Sequence, residues 1–178
     1  MKLPWCCASF IIVAALATSP PEATAAGAED CLTAAFKLMA GEFTAEGRRL
    51  TADGDLETFS GTYSAVLDND RSITFSAGRT KYGTWRLEGS EYQLITYDAA
   101  GTAAAALAID FNCHISAPGT MRLYETWTAG VDSVKPGWLV SQYREVKDDR
   151  FTVTTMAREK GSTLPPVLLS QYAARQRN

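Results

Sequence analysis

The chain has 178 residues, with 17 Lys and Arg against 20 Asp and Glu and a net charge of −3 at neutral pH. That balance offers no basic surface for nucleic acid or for an anionic membrane. One histidine in the whole sequence, His114, excludes a multi-histidine metal site, and any Ser-His-Asp arrangement would have to be built on it.

Residues 1–26 read as a secretory signal peptide. Lys2 supplies the positive start, and Trp5 to Ala17 forms an apolar run with Phe10, Ile11, Ile12 and Val13 at its centre. Ser19, Pro20 and Pro21 break the run, and Ala23-Thr24-Ala25 gives the small-x-small pattern for cleavage after Ala25 or Ala26. The run is shorter than the roughly 20 residues that span a bilayer, so no stable membrane insertion is expected after cleavage. Cys6 and Cys7 stand too early to carry a lipid anchor. The expected location is therefore periplasmic or secreted. What remains, 27–178, is long enough for a single domain with its own core. It keeps two cysteines, Cys31 and Cys113. In an oxidising compartment they read as one disulfide, with two buried free thiols as the alternative. Without a CxxC pair there is neither a zinc site nor a thioredoxin-type motif.

Ala28 to Ala40 has helical spacing, with Leu32, Ala35, Phe36 and Met39 on one face, and Gly41 stops it. From Gly41 to Arg158 the period changes to two, with regular turn residues. The pattern predicts strands at 42–50, 56–67, 71–77, 81–88, 91–98, 102–115, 120–129, 138–146 and 150–158. Hairpin register tests them, because a one-residue slip turns every side chain over. Ala65 and Leu67 face Phe75 and Ile73. Trp85 and Leu87 face Leu94 and Tyr92. Leu94 in turn faces Ala105, Phe111 and Cys113 face Glu125 and Leu123, and Val146 meets Phe151. One face stays apolar throughout. The expectation is an all-β, antiparallel up-and-down barrel of 8–9 strands with a short N-terminal helix, a sandwich being second. The tail after Ser162, carrying Val167, Leu168, Leu169 and Tyr172, is expected to pack as a last strand or short helix.

No phosphate-cradling glycine loop, GxSxG or HExxH is present, so neither an enzyme nor a cofactor is implied. His114 points away from the apolar face, opposite Arg122, as an ordinary surface residue would. Strand parity instead sets Glu125, Gln142 and Arg144 on the apolar face, Glu125 directly opposite Gln142 and diagonal to Arg144. Buried charge is costly unless paired. The group is either a polar anchor in a ligand cavity or a structural ion pair. Trp85, Trp127, Trp138, Tyr63, Tyr92 and Phe111 either line that cavity or fill the barrel. The small side chains of Ala103 to Ala106 would either leave room on an inner wall or let a helix pack closely against the outside. General acid–base work by Glu125 would need a raised pKa, which a neighbouring arginine opposes.

A helix, then Gly41-Glu42-Phe43 opening the first strand, then a meander to Arg158, resembles the lipocalin-like (calycin) barrels. In that superfamily a Gly-x-Trp opens the first strand, and an arginine of the last strand covers the ring at the closed end. Phe43 stands at the tryptophan position, and Arg158 in Met156-Ala157-Arg158 is the matching arginine. The stretch Tyr143 to Phe151 resembles the closing hairpin of uncharacterised exported bacterial lipocalin-like proteins. The opening Gly41 to Arg48 is also similar to that of exported bacterial metalloprotease inhibitors. The first resemblance implies binding of a small apolar ligand. The second implies a protein-interaction module, such as a periplasmic protease inhibitor or envelope-assembly partner. An enclosed cavity of about 300 Å³ or more would mark the first. A filled barrel with an exposed apolar patch would mark the second.

Overall fold

The computed structural model describes residues 25–177 except 118, 132 and 134; all but the last two residues of the segment expected to be a signal peptide, 1–26, lie outside the described residues. Helix α1 (Ala25–Met39) leads directly into β1 (Gly41–Leu50). Gly41 takes φ +135°, a conformation closed to most L side chains, and so lets the chain turn from helix to strand. There follow β2 (Leu56–Asn69), β3 (Ser72–Ala77), β4 (Thr80–Glu88), β5 (Glu91–Tyr97) and β6 (Ala103–Ala108). The second half comprises β7 (Asp110–Ala117), β8 (Thr120–Thr128), β9 (Leu139–Lys147), β10 (Arg150–Arg158) and β11 (Val167–Gln176).

All eleven strands form one antiparallel sheet, so the expected count of 8–9 is corrected. Two features account for the difference. The long strand expected at 102–115 breaks at Ile109: β6 pairs with β5, and β7 pairs with β8. The tail is a full strand, and it inserts between β1 and β10. The strand order is β6-β5-β4-β3-β2-β1-β11-β10-β9-β8-β7. Because the two edge strands are joined through Ile109 alone, chain continuity brings the edges together, and the sheet curls into a nearly closed barrel.

Register follows parity in most hairpins. Leu67↔Ile73, Trp85↔Leu94, Cys113↔Leu123 and Phe151↔Val146 are all direct pairs. The β5–β6 hairpin is displaced by two residues from the expectation, with Leu94 opposite Leu107 rather than Ala105. Parity survives a shift of two, so the same side chains stay inward. Ala103 to Ala106 are exposed and line no inner wall, which corrects that expectation.

Helix α1 closes one end of the barrel. Leu32, Ala35, Phe36 and Met39 are fully buried in the core, as their spacing requires. Cys31 is bonded to Cys113 on β7, with Cα atoms 5.7 Å apart. Surface ion pairs Arg71–Glu29 (3.1 Å) and Lys37–Asp70 (3.8 Å) join the helix to the β2–β3 turn. Phe43 is buried with its ring edge-on to Phe151 at 5.0 Å. Arg158 is exposed and pairs in register with Leu139, so the expected arginine cover over Phe43 is not made; Phe151 takes that place.

Candidate functional site

Glu125 on β8 and Gln142 on β9 are a direct cross-strand pair, and Arg144 lies two residues further along β9. All three point inward because their neighbours Leu123, Val140 and Val146 do. Glu125 is 1% exposed and Arg144 is 2% exposed. The carboxylate is well satisfied: Tyr92 donates its hydroxyl to Oε1 at 2.6 Å, and Gln142 donates Nε2 to Oε2 at 2.9 Å. Gln142 is held in turn by Thr155, whose hydroxyl donates to its Oε1 at 2.9 Å. Arg144 Nε lies 2.8 Å from Glu125 Oε2 as an ion pair, without the alignment of an N–H···O hydrogen bond.

The other side of the guanidinium is aromatic. Arg144 Cζ lies 4.5 Å from the centroid of Trp85 and 5.8 Å from that of Phe75. Its Nη1 donates weakly to Met39 Sδ of the helix at 3.9 Å. Nη2 makes no hydrogen bond to a described residue, and Arg144 itself lines a cavity. Trp85 Nε1 and Arg144 Nε are buried donors without a hydrogen-bond partner among the described residues. The centre of the barrel is therefore richer in donors than in acceptors. Burial is the largest influence on the Arg144 guanidinium and favours loss of its proton, but Glu125, Tyr92 and Tyr172 together outweigh it, and the pKa rises above the usual arginine value. Burial, and then the adjacent Glu125, push the Tyr92 phenol well above its ordinary value. At neutral pH the centre thus holds one cation and a neutral phenol.

The cavity measures about 220 Å³ and is lined by Arg144 but not by Glu125. Phe43, Phe75, Trp85, Phe151 and Tyr172 build its walls, several in edge-to-face contact with one another. It reaches solvent at the end opposite the helix, beside Tyr82 and Arg49, both exposed. Arg49 is tied to Glu57 at 2.6 Å and lies 5.8 Å from the Phe59 ring.

The nine residues singled out from sequence separate into three places. Arg144, Trp85 and Tyr63 line the cavity. Glu125 and Gln142 stand behind Arg144 as its support, and Tyr92 reaches the same carboxylate while packing against Phe36 of the helix and Phe111 of β7. Trp138 packs against Ala129, Val140 and Ala157 in a small second cluster, and Trp127 bridges that cluster to the main core; neither lines the cavity. His114 sits on the outer surface, stacked on Tyr124 at 6.0 Å. Lining residues that sequence reasoning missed include Phe59 and Tyr172. Both carried a signal: Phe59, Gly61 and Tyr63 alternate on one face of β2, and Leu168, Ser170, Tyr172 and Ala174 alternate in the tail.

Among the described residues no group of His, Cys, Asp and Glu is arranged to hold a metal ion, and no helix is long and apolar enough to cross a membrane. The sequence matches no family model and no curated protein. In structure the chain is similar to Rv2717c from M. tuberculosis, with a TM-score of 0.55 at 8% identity, covering 83% of this chain and 98% of that one. This likeness shows the shared barrel fold.

Proposed function

We propose that this chain is an exported, lipocalin-like binding protein for a small, largely apolar molecule. One observation carries the reading. An aromatic-walled cavity of about 220 Å³ has a single buried guanidinium in its wall, fixed from behind by a fully hydrogen-bonded carboxylate. A few convergent polar groups in an apolar hollow are what a small-molecule site requires. At about 220 Å³ and open to solvent, the cavity falls short of the enclosed volume of roughly 300 Å³ expected for this reading, so the ligand proposed is a compact one. The Cys31–Cys113 bond fits a periplasmic or secreted location.

Native mass spectrometry of protein purified from its own compartment tests this. A co-purifying small molecule, lost in Trp85→Ala, is the expected result. A protein that carries nothing, and takes up no member of an aromatic fragment set by NMR, would refute the binding role. It would leave the interaction-module alternative, for which the cross-strand pair of exposed Tyr124 and half-buried Tyr143 on the outer face offers an aromatic surface.

A further inference from the structure

A buried arginine in a ligand cavity invites the assumption of an anionic ligand. The charges here argue against it. Two cationic side chains line the cavity, and each already has its own carboxylate: Arg144 has Glu125 at 2.8 Å, and Arg49 has Glu57 at 2.6 Å. A carboxylate ligand on Arg144 would leave the buried centre with one uncompensated negative charge, beside a Glu125 that is itself 1% exposed. Two carboxylates sharing one buried cation repel each other, and the desolvation of the second is not repaid. Yet the centre still has donors to spare. Arg144 lines the cavity, and its Nη2 makes no hydrogen bond to a described residue, whereas Nε is paired with Glu125 and Nη1 with Met39 Sδ.

We propose that the ligand is an uncharged, compact aromatic or alicyclic molecule carrying one hydrogen-bond acceptor, such as a ketone, ester or amide carbonyl, which receives Arg144 Nη2–H. The inference rests on the binding role proposed above and fixes the ligand's charge, polarity and orientation. The carbonyl points inward to Arg144, and the apolar body lies along Phe43, Phe151 and Tyr172 toward the mouth. Glu125 then acts as a specificity residue without touching the ligand, because it neutralises the guanidinium and so sets which ligand charge is accepted.

The experiment compares three probes of nearly equal shape, 2-naphthamide, 2-naphthoate and 2-ethylnaphthalene, by NMR titration at pH 7.5. The wild-type protein should bind 2-naphthamide at least tenfold more tightly than 2-naphthoate, and more tightly than 2-ethylnaphthalene. In Glu125→Gln the guanidinium loses its neutralising partner, so the amide-to-carboxylate preference should fall at least tenfold or invert. Preference of the wild type for 2-naphthoate overturns the proposal, as does an unchanged preference in a folded Glu125→Gln protein. If that variant does not fold, the wild-type comparison decides alone. Binding of 2-ethylnaphthalene as tightly as 2-naphthamide refutes the acceptor while leaving the apolar binding role intact. Binding of none of the three overturns both.

Discussion

Replacing Arg144 by Met removes one member of an ion pair whose partners are both buried, and leaves Glu125 without its cation. Breaking such a pair costs about 3–5 kcal/mol, because the remaining charge stays out of water. Glu125 keeps its bonds from Tyr92 and Gln142, which places the cost at the lower end. Loss of the cation over the Trp85 face adds up to about 2 kcal/mol, and the thioether packed on the same ring returns part of it. A net destabilisation of about 3 kcal/mol, at an m-value of about 2 kcal/mol/M, lowers the urea midpoint by about 1.5 M. Adding Glu125→Gln removes the orphaned charge, and the amide oxygen still accepts from Tyr92. The double variant should therefore recover to within about 1 kcal/mol of wild type, a return of about 2 kcal/mol relative to Arg144→Met alone. Ligand affinity should not return with it, because the guanidinium of a cavity-lining residue is gone. A single-variant cost under about 1 kcal/mol, or no recovery in the double variant, would refute the electrostatic account. A double variant that binds like wild type would show the pair to be scaffolding only.

Gly47→Ala should be strongly destabilising, by about 3 kcal/mol or more, because a Cβ there would lie within 2.6 Å of Tyr172 Cα where β1 meets β11; a urea midpoint unchanged from wild type would show that the two strands can separate cheaply. The paired change Cys31→Ala with Cys113→Ala opens a link between residues 82 apart and should cost about 4–5 kcal/mol by loop entropy. Thiol counting on the oxidised, denatured wild type should find none free among Cys31 and Cys113. For the alkaline limit, burial and then Glu125 raise the Tyr92 pKa, so the unfolded chain gives up this proton first. The stabilisation is complete below about pH 10, the unfolded value, and is lost as pH climbs toward the native one. Absorbance at 295 nm should therefore show a fraction of tyrosine ionising together with loss of circular dichroism; reversible ionisation of every tyrosine near pH 10 in a folded protein would contradict it.

The hairpins were legible from sequence because parity is a strict constraint: Glu125 opposite Gln142 could be read from the positions of Leu123, Trp127 and Val140 alone. The helix face was legible for the same reason, through the spacing of Leu32, Phe36 and Met39. Closure was not. It depends on where one strand bends, and Ile109 sits in an unbroken apolar stretch with no glycine or proline to mark it. It depends also on the tail, where Pro165 and Pro166 interrupt the meander just before β11 begins.

The site was legible in part, and the division has a physical cause. Parity says which side chains point inward but not how far along the axis each one lies. Trp85, Trp138 and Tyr92 were all singled out together, yet they end in three different layers: the cavity wall, the second cluster at the open end, and the packing beneath the helix. Axial position is fixed by the stagger between strands, which accumulates around a barrel and is set only when β11 joins β1 to β10. The same strand contributes Tyr172 to the cavity, while Gly47 of β1 lets that strand approach closely enough for the Tyr172 and Phe59 rings to meet at 6.0 Å above the glycine. Closing the barrel and completing the cavity are thus one structural event. A change that loosens the β1–β11 seam should cost ligand affinity and stability together, whereas a change at Trp127 or Trp138 should cost stability alone.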